Sequence, residues 1–118
     1  MTKKYSVYTT PSFKREYNKL KKRYPKIDDD FENFLDDIEF NGILGDPMMG
    51  IVKDGNKVFK KRMINSSARK GLPGGFRIIK YLVTEDSSVY LLDIYSKSDK
   101  SNITNHRIRR LIHKEILK

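Results

Sequence analysis

VFKKRMINSSARKGLPGGFRIIKYLVTEDSSVYLLDIYSK, from Val58 to Lys97, is the stretch that decides the fold. It contains three apolar-periodic runs, VFKKRMI, GFRIIKYLV and VYLLDIYSK, rich in Val, Ile, Tyr and Phe. Such runs, split by a Gly-bearing connector, read as strands of one antiparallel sheet. Asn65 to Gly75 forms a long first connector, and Glu85-Asp86-Ser87-Ser88 a tight hairpin. Lys60, Lys61, Arg62, Arg69, Lys70, Arg77, Lys80 and Lys97 lie on or between these strands. Neighbouring strands are about 5 Å apart, so cations at matching alternations build a dense positive surface suited to a polyanion.

Upstream, Tyr5 to Thr9 alternates as a short first strand, ended by Thr10-Pro11. Thr10 is placed to cap a helix that begins at Pro11, where a missing N–H costs nothing. Phe13, Tyr17, Leu20 and Tyr24 recur at helical spacing until Pro25 stops the run. A second helix carries Ile27, Phe31, Phe34, Leu35 and Ile38 as its apolar stripe, with carboxylates opposite, and ends at Asn41-Gly42. The two helices are expected as an antiparallel pair packed on the sheet. Residues 41–50, with three Gly and one Pro, read as a loop. A last helix, from about Asn102 to Leu117, places Ile108, Leu111, Ile112 and Ile116 on one side, with Ser101 or Thr104 as cap. The expected fold is therefore α+β, ordered β-α-α-β-β-β with a C-terminal helix. A small antiparallel-rich sheet carries the N-terminal helical hairpin on one face, all in a single domain over residues 1–118.

Composition narrows the function. The 118 residues have 37% hydrophobic and 34% charged side chains, a balance that fits a globular chain with a heavily solvated surface. No apolar run approaches the roughly 18 residues that span a bilayer, and MTKKYSVYTT lacks a signal-like apolar stretch, so a cytoplasmic location without a membrane is expected. The absence of cysteine excludes disulfides, thiol catalysis and thiolate metal sites. Two histidines, both near the end, argue against a zinc site, and no cofactor or metal is expected. The net charge of +10 favours an anionic partner. It is unevenly spread. Residues 28–40 hold seven carboxylates and no cation, whereas residues 53–80 hold nine Lys or Arg against Asp54 alone.

No serine-histidine-acid set, phosphate-binding glycine loop or metal cluster is present, which leaves a cationic site. Lys60 and Arg62, two apart on one strand, share a face, and Lys61 points the other way. Arg77 opens the next strand beside Gly74-Gly75, where backbone can bring a charge close to a ligand. Lys97 and Ser98 follow the last strand. These groups suit RNA cleavage by internal attack of the 2′-hydroxyl, which builds negative charge on a phosphorane and needs no metal if cations stabilise it. The alternative is a solvated strand face of ordinary surface cations. His106 and His113 share a helix face, an arrangement open to an acid/base pair or to two exposed histidines. Tyr81, Tyr90 and Tyr95 read as core or cross-strand pairs, with Tyr95, next to the end of its strand, also a candidate for base stacking.

The run VFKKRMI…ARKGLPGGFRIIKYLVTEDSSVYLLDIYSKSDKSNIT resembles the RelE/HigB branch of bacterial type II toxins, which are messenger-RNA interferases. The upstream FKREYNKLKKRYP…FLDDIEFN…GDPMMG is similar to that family's helical hairpin and following loop. The resemblance implies a metal-independent, ribosome-dependent endoribonuclease that cuts messenger RNA in the ribosomal A site and is neutralised by a cognate antitoxin protein. It implies Lys60 as base or phosphate clamp, Arg62 and Arg77 on the scissile phosphate, and Lys70 and Lys97 as RNA-orienting groups or acid. Lys61, Arg69, Lys80, Tyr95, Ser98 and Lys100 complete the expected RNA-contacting set. The chain departs from the family in having Ser98 where an Arg follows the lysine and Thr104 where a stacking Tyr stands. A non-catalytic basic binding module and a ParE-like gyrase inhibitor are the other readings.

Overall fold

The computed structural model describes residues 2–69, 71 and 74–117. β1 (Ser6–Thr9) leads directly into α1 (Pro11–Arg23). The Thr10 hydroxyl accepts from the Phe13 amide at 3.2 Å and donates to the Leu91 carbonyl at 2.8 Å, so one side chain both caps the helix and ties it to the sheet. α2 (Ile27–Glu39) follows, and Gly42, at φ 68°, turns the chain away from it through the left-handed region. The carboxylates of α2 do not all face solvent. Asp30 is buried and accepts from the Ser66 amide at 3.0 Å and hydroxyl at 2.8 Å, which anchors the connector after β3 to the helix.

The remaining strands are β2 (Asp46–Pro47), β3 (Lys57–Met63), β4 (Phe76–Val83) and β5 (Ser88–Ser96). They form one sheet in the order β1-β5-β4-β3-β2, antiparallel throughout except for the parallel pairing of β1 with β5. The three-strand antiparallel core is the one expected from the sequence. Residues 41–50, expected as loop, instead contribute β2, whose Asp46 stands opposite Lys60. Pro47 is tolerated there because an edge strand needs no further donor.

Both faces of the sheet are covered, which explains why FRIIKYLV is apolar almost without interruption. On one face Phe13, Leu20, Ile27, Phe34 and Ile38 of the helical hairpin pack on Met63, Phe76, Ile78, Leu82, Val89, Leu91 and Ile94. On the other, Val58, Ile79, Tyr81, Leu92 and Tyr95 are covered by Ile51 and by Ile103, Ile108, Leu111 and Ile112. The last three belong to α3 (Asn105–Ile112), which Thr104 caps through the Arg107 amide at 3.1 Å and which continues as one wide turn over His113–Leu117. Among the described residues no helix is long and apolar enough to cross a membrane.

The pairing of β4 with β5 slips by one residue at Ile79 and Lys80, leaving Leu92 as the extra residue of a β-bulge. Before the bulge, Tyr90 shares a face with Tyr81; after it, Tyr95 shares a face with Arg77. Strict alternation from Tyr90 would have sent Tyr95 to the helical-hairpin side. One inserted residue thus changes which side chain borders the candidate site.

Candidate functional site

Register brings the main cations together. Arg62 of β3 lies directly opposite Arg77 of β4, and Arg77 lies directly opposite Tyr95 of β5. Lys60, two residues before Arg62, shares their face. Opposed residues have Cβ atoms about 5 Å apart. Arg62 and Arg77 therefore rise from adjacent positions near one end of the sheet, with Lys60 one step along the same face. Arg62 is exposed and Lys60 half-buried, whereas Arg77 is 5% exposed. Burial, and then the neighbouring Arg62, lower the Arg77 pKa from its usual value. The Arg77 guanidinium donates to the Phe76 carbonyl at 3.2 Å, and an anion bound between it and Arg62 would offset the repulsion between the two cations.

Backbone fit fixes this spacing. A methyl group at Gly75 would sit 2.1 Å from the Met63 carbonyl oxygen, so the start of β4 approaches the end of β3 more closely than any side chain allows. The Gly75 carbonyl also accepts from the Lys97 amide at 3.0 Å, bringing the end of β5 to the same corner. Gly75→Ala is expected to destabilise the fold by about 2–3 kcal/mol, read as a lower urea midpoint. An unchanged midpoint would show that the two backbones can spread freely there.

The other expected residues divide into three groups. Lys97 follows β5 at this corner, exposed, with its ammonium 3.3 Å from the Ser101 carbonyl; Ser98 sits in the same turn, its amide bonded to the Ser96 hydroxyl at 3.2 Å. Lys100 is exposed, with its ammonium 4.9 Å over the Tyr95 ring and 3.9 Å from the Asp93 carboxylate, whose pKa burial raises. Arg69 is exposed in the turn after β3 and adopts φ 55°. Lys70 lies outside the described residues.

Lys61 and Lys80 are on the opposite face, beneath the helical hairpin. Their ammonium groups lie 5.7 Å and 5.1 Å from the centre of the Phe34 ring. Lys80 is 0% exposed, and its ammonium has no hydrogen-bond partner among the described residues. Burial first, and then Lys61, push its pKa down to about 7. Lys80 is therefore enclosed beneath the helical hairpin rather than offered to an RNA, contrary to the expectation from composition, because its register partner is Phe59 rather than a residue of the cationic face. Tyr95 also departs from its expected role as a stacking platform. Its ring is 4% exposed and packed in the core beneath α3, leaving no open π-face, and its buried hydroxyl lacks a hydrogen-bond partner among the described residues. It forms part of the floor beside Arg77.

Sequence reasoning missed Asp46. It faces Lys60 across the β2–β3 pair, yet no carboxylate comes within ion-pair distance of Lys60 or Arg62 among the described residues. The signal was hidden because a two-residue strand has no periodicity to detect. His106 and His113 are exposed and line a groove with cations of α3 that includes neither Arg62 nor Arg77. Among the described residues no group of three His, Asp or Glu side chains could hold a metal ion. No family model matches the chain.

Proposed function

We propose that this protein is a toxin of the RelE/HigB kind, a cytoplasmic endoribonuclease that cuts messenger RNA on the ribosome and is held inactive by an antitoxin. The observation that carries this reading is the register of β3 and β4, which pairs Arg62 with Arg77 and keeps Lys60 on the same face of the sheet. In the proposed reaction the 2′-oxygen attacks the adjacent phosphorus and the bond to the 5′-oxygen breaks, leaving a 2′,3′-cyclic phosphate and a 5′-hydroxyl. Lys60 receives the 2′-hydroxyl proton or clamps the phosphate. Arg62 and Arg77 bind the non-bridging oxygens as charge develops on them, and Lys97 delivers a proton to the leaving oxygen. An acidic or amphipathic antitoxin segment lying over this face, or displacing α3, would silence the protein by neutralising and covering the same cations.

The test is induction of the protein in growing bacterial cells with mapping of RNA ends. Growth arrest with cuts inside translated codons, bearing cyclic phosphate and 5′-hydroxyl ends, is expected. Intact messenger RNA with DNA breaks would point to a gyrase inhibitor, and the absence of both to a binding module.

A further inference from the structure

The outer side of α3 is a second cationic surface. From Asn105 to Leu117 the chain has Arg107, Arg109, Arg110 and Lys114 against Glu115 as its one acid. Glu115 is turned inward, where its carboxylate accepts from the Ser12 hydroxyl at 2.7 Å. Arg109 is spent on structure, its guanidinium donating to the Gly50 and Ile51 carbonyls at 2.9 Å each. Arg107, Arg110 and Lys114 remain, exposed and at i, i+3, i+7 spacing, flanked by the exposed His106 and His113. These five, with Arg109, line a shallow groove of about 440 Å³. Among the described residues none of the three cations is within 4 Å of a carboxylate.

We infer that this face of α3 binds the backbone of double-helical RNA, separately from the Arg62–Arg77 site. The apolar stripe of α3 is already consumed, with Ile108, Leu111 and Ile112 at most 2% exposed, so the helix has no apolar side to place in a bilayer. The patch contains no aromatic or aliphatic anchor of the kind that centres a protein–protein interface. Its only rings are the imidazoles of His106 and His113, outnumbered by the arginines and lysine, so phosphates are the groups it fits best. A rigid helix with one cation per turn matches a preformed duplex, because neither partner must be ordered on binding. Cleavage at the sheet does not depend on this surface, nor the surface on cleavage.

The test is binding of a 20-base-pair RNA duplex at several salt concentrations by the wild type, by R107Q/R110Q/K114Q and by R62Q/R77Q. The α3 variant is expected to bind roughly tenfold to a hundredfold more weakly, with the salt slope reduced by about 2–3, and to lose more affinity for the duplex than R62Q/R77Q, whose site takes a single scissile phosphate. R107K/R110K, which keeps the charges, is expected to retain affinity. An α3 variant with unchanged affinity and slope would overturn the inference. A loss carried by R62Q/R77Q instead, or capture by phosphatidylglycerol vesicles in preference to the duplex, would do the same. RNA cutting by R107Q/R110Q/K114Q, measured alongside, separates failure here from failure of the nuclease reading.

Discussion

Lys80→Met is expected to stabilise the protein by roughly 4 kcal/mol at neutral pH, a shift of about 2–3 M in urea midpoint. Lys80 is fully buried, 5.1 Å from the Phe34 ring, with Lys61 near the same ring and no hydrogen-bond partner for its ammonium among the described residues. Its pKa falls to about 7 in the folded chain, against 10.5 for an unhindered lysine. Each unit of difference corresponds to about 1.4 kcal/mol of preference for the neutral form. Methionine has a similar unbranched length, fills the same space and removes the charge.

The pH dependence has a definite sign. Between about pH 7 and pH 10.5 the unfolded chain holds the Lys80 proton and the folded chain has released it, so unfolding takes up a proton and stability rises with pH. Below about pH 7 both states are protonated and the penalty is constant. The gap between Lys80→Met and wild type should therefore be widest at and below neutrality and should close as pH rises toward 10. Equal stability of the two proteins at pH 7, or a gap independent of pH, would show that the ammonium is hydrated in solution.

Arg77→Ala should lower the rate of RNA cutting by roughly 10²–10³-fold, the effect of removing one preorganised partner of a developing oxyanion. Arg77 is also nearly buried, so its loss removes packing as well as charge. Arg62→Ala separates the two effects: Arg62 is exposed, and its removal should cost catalysis to a similar degree with little loss of stability. Arg77→Lys keeps a charge but loses the planar fork, and intermediate activity is expected. Antitoxin binding should survive Arg62→Ala, because one rim cation contributes little to a large interface. Full cutting by both alanine variants would remove the pair from the site.

The helical half of the fold was legible because its signals are local. Thr10 and Pro11 mark a helix start by their own chemistry, and Phe13, Leu20, Ile27, Phe34 and Ile38 declare buried faces by spacing alone. The three long strands were legible for the same reason. What escaped depends on partners distant in sequence. β2 exists only because Asp46 and Pro47 meet β3, and the parallel direction of β1 only because it meets β5. The site shows the same division. That Lys60 and Arg62 share a face follows from alternation; that Arg77 joins them follows from a register no local pattern encodes. The bulge at Leu92 decides the side on which Tyr95 lies, and a bulge has no signature in LLDIY. Lys80 was misread because composition was weighed above pattern: in FRIIKYLV it alternates with Ile78 and Leu82, which places it inside.

A double-mutant cycle on Arg62 and Arg77 tests most directly whether both cations grip one phosphodiester. Cutting rates of Arg62→Ala, Arg77→Ala and the double variant would be compared under single-turnover conditions. If both arginines act on the same phosphorane, the double variant should lose much less than the product of the two single losses, because the first removal already dismantles the shared site. Losses that multiply, or a rate unaffected by either change, would contradict the account.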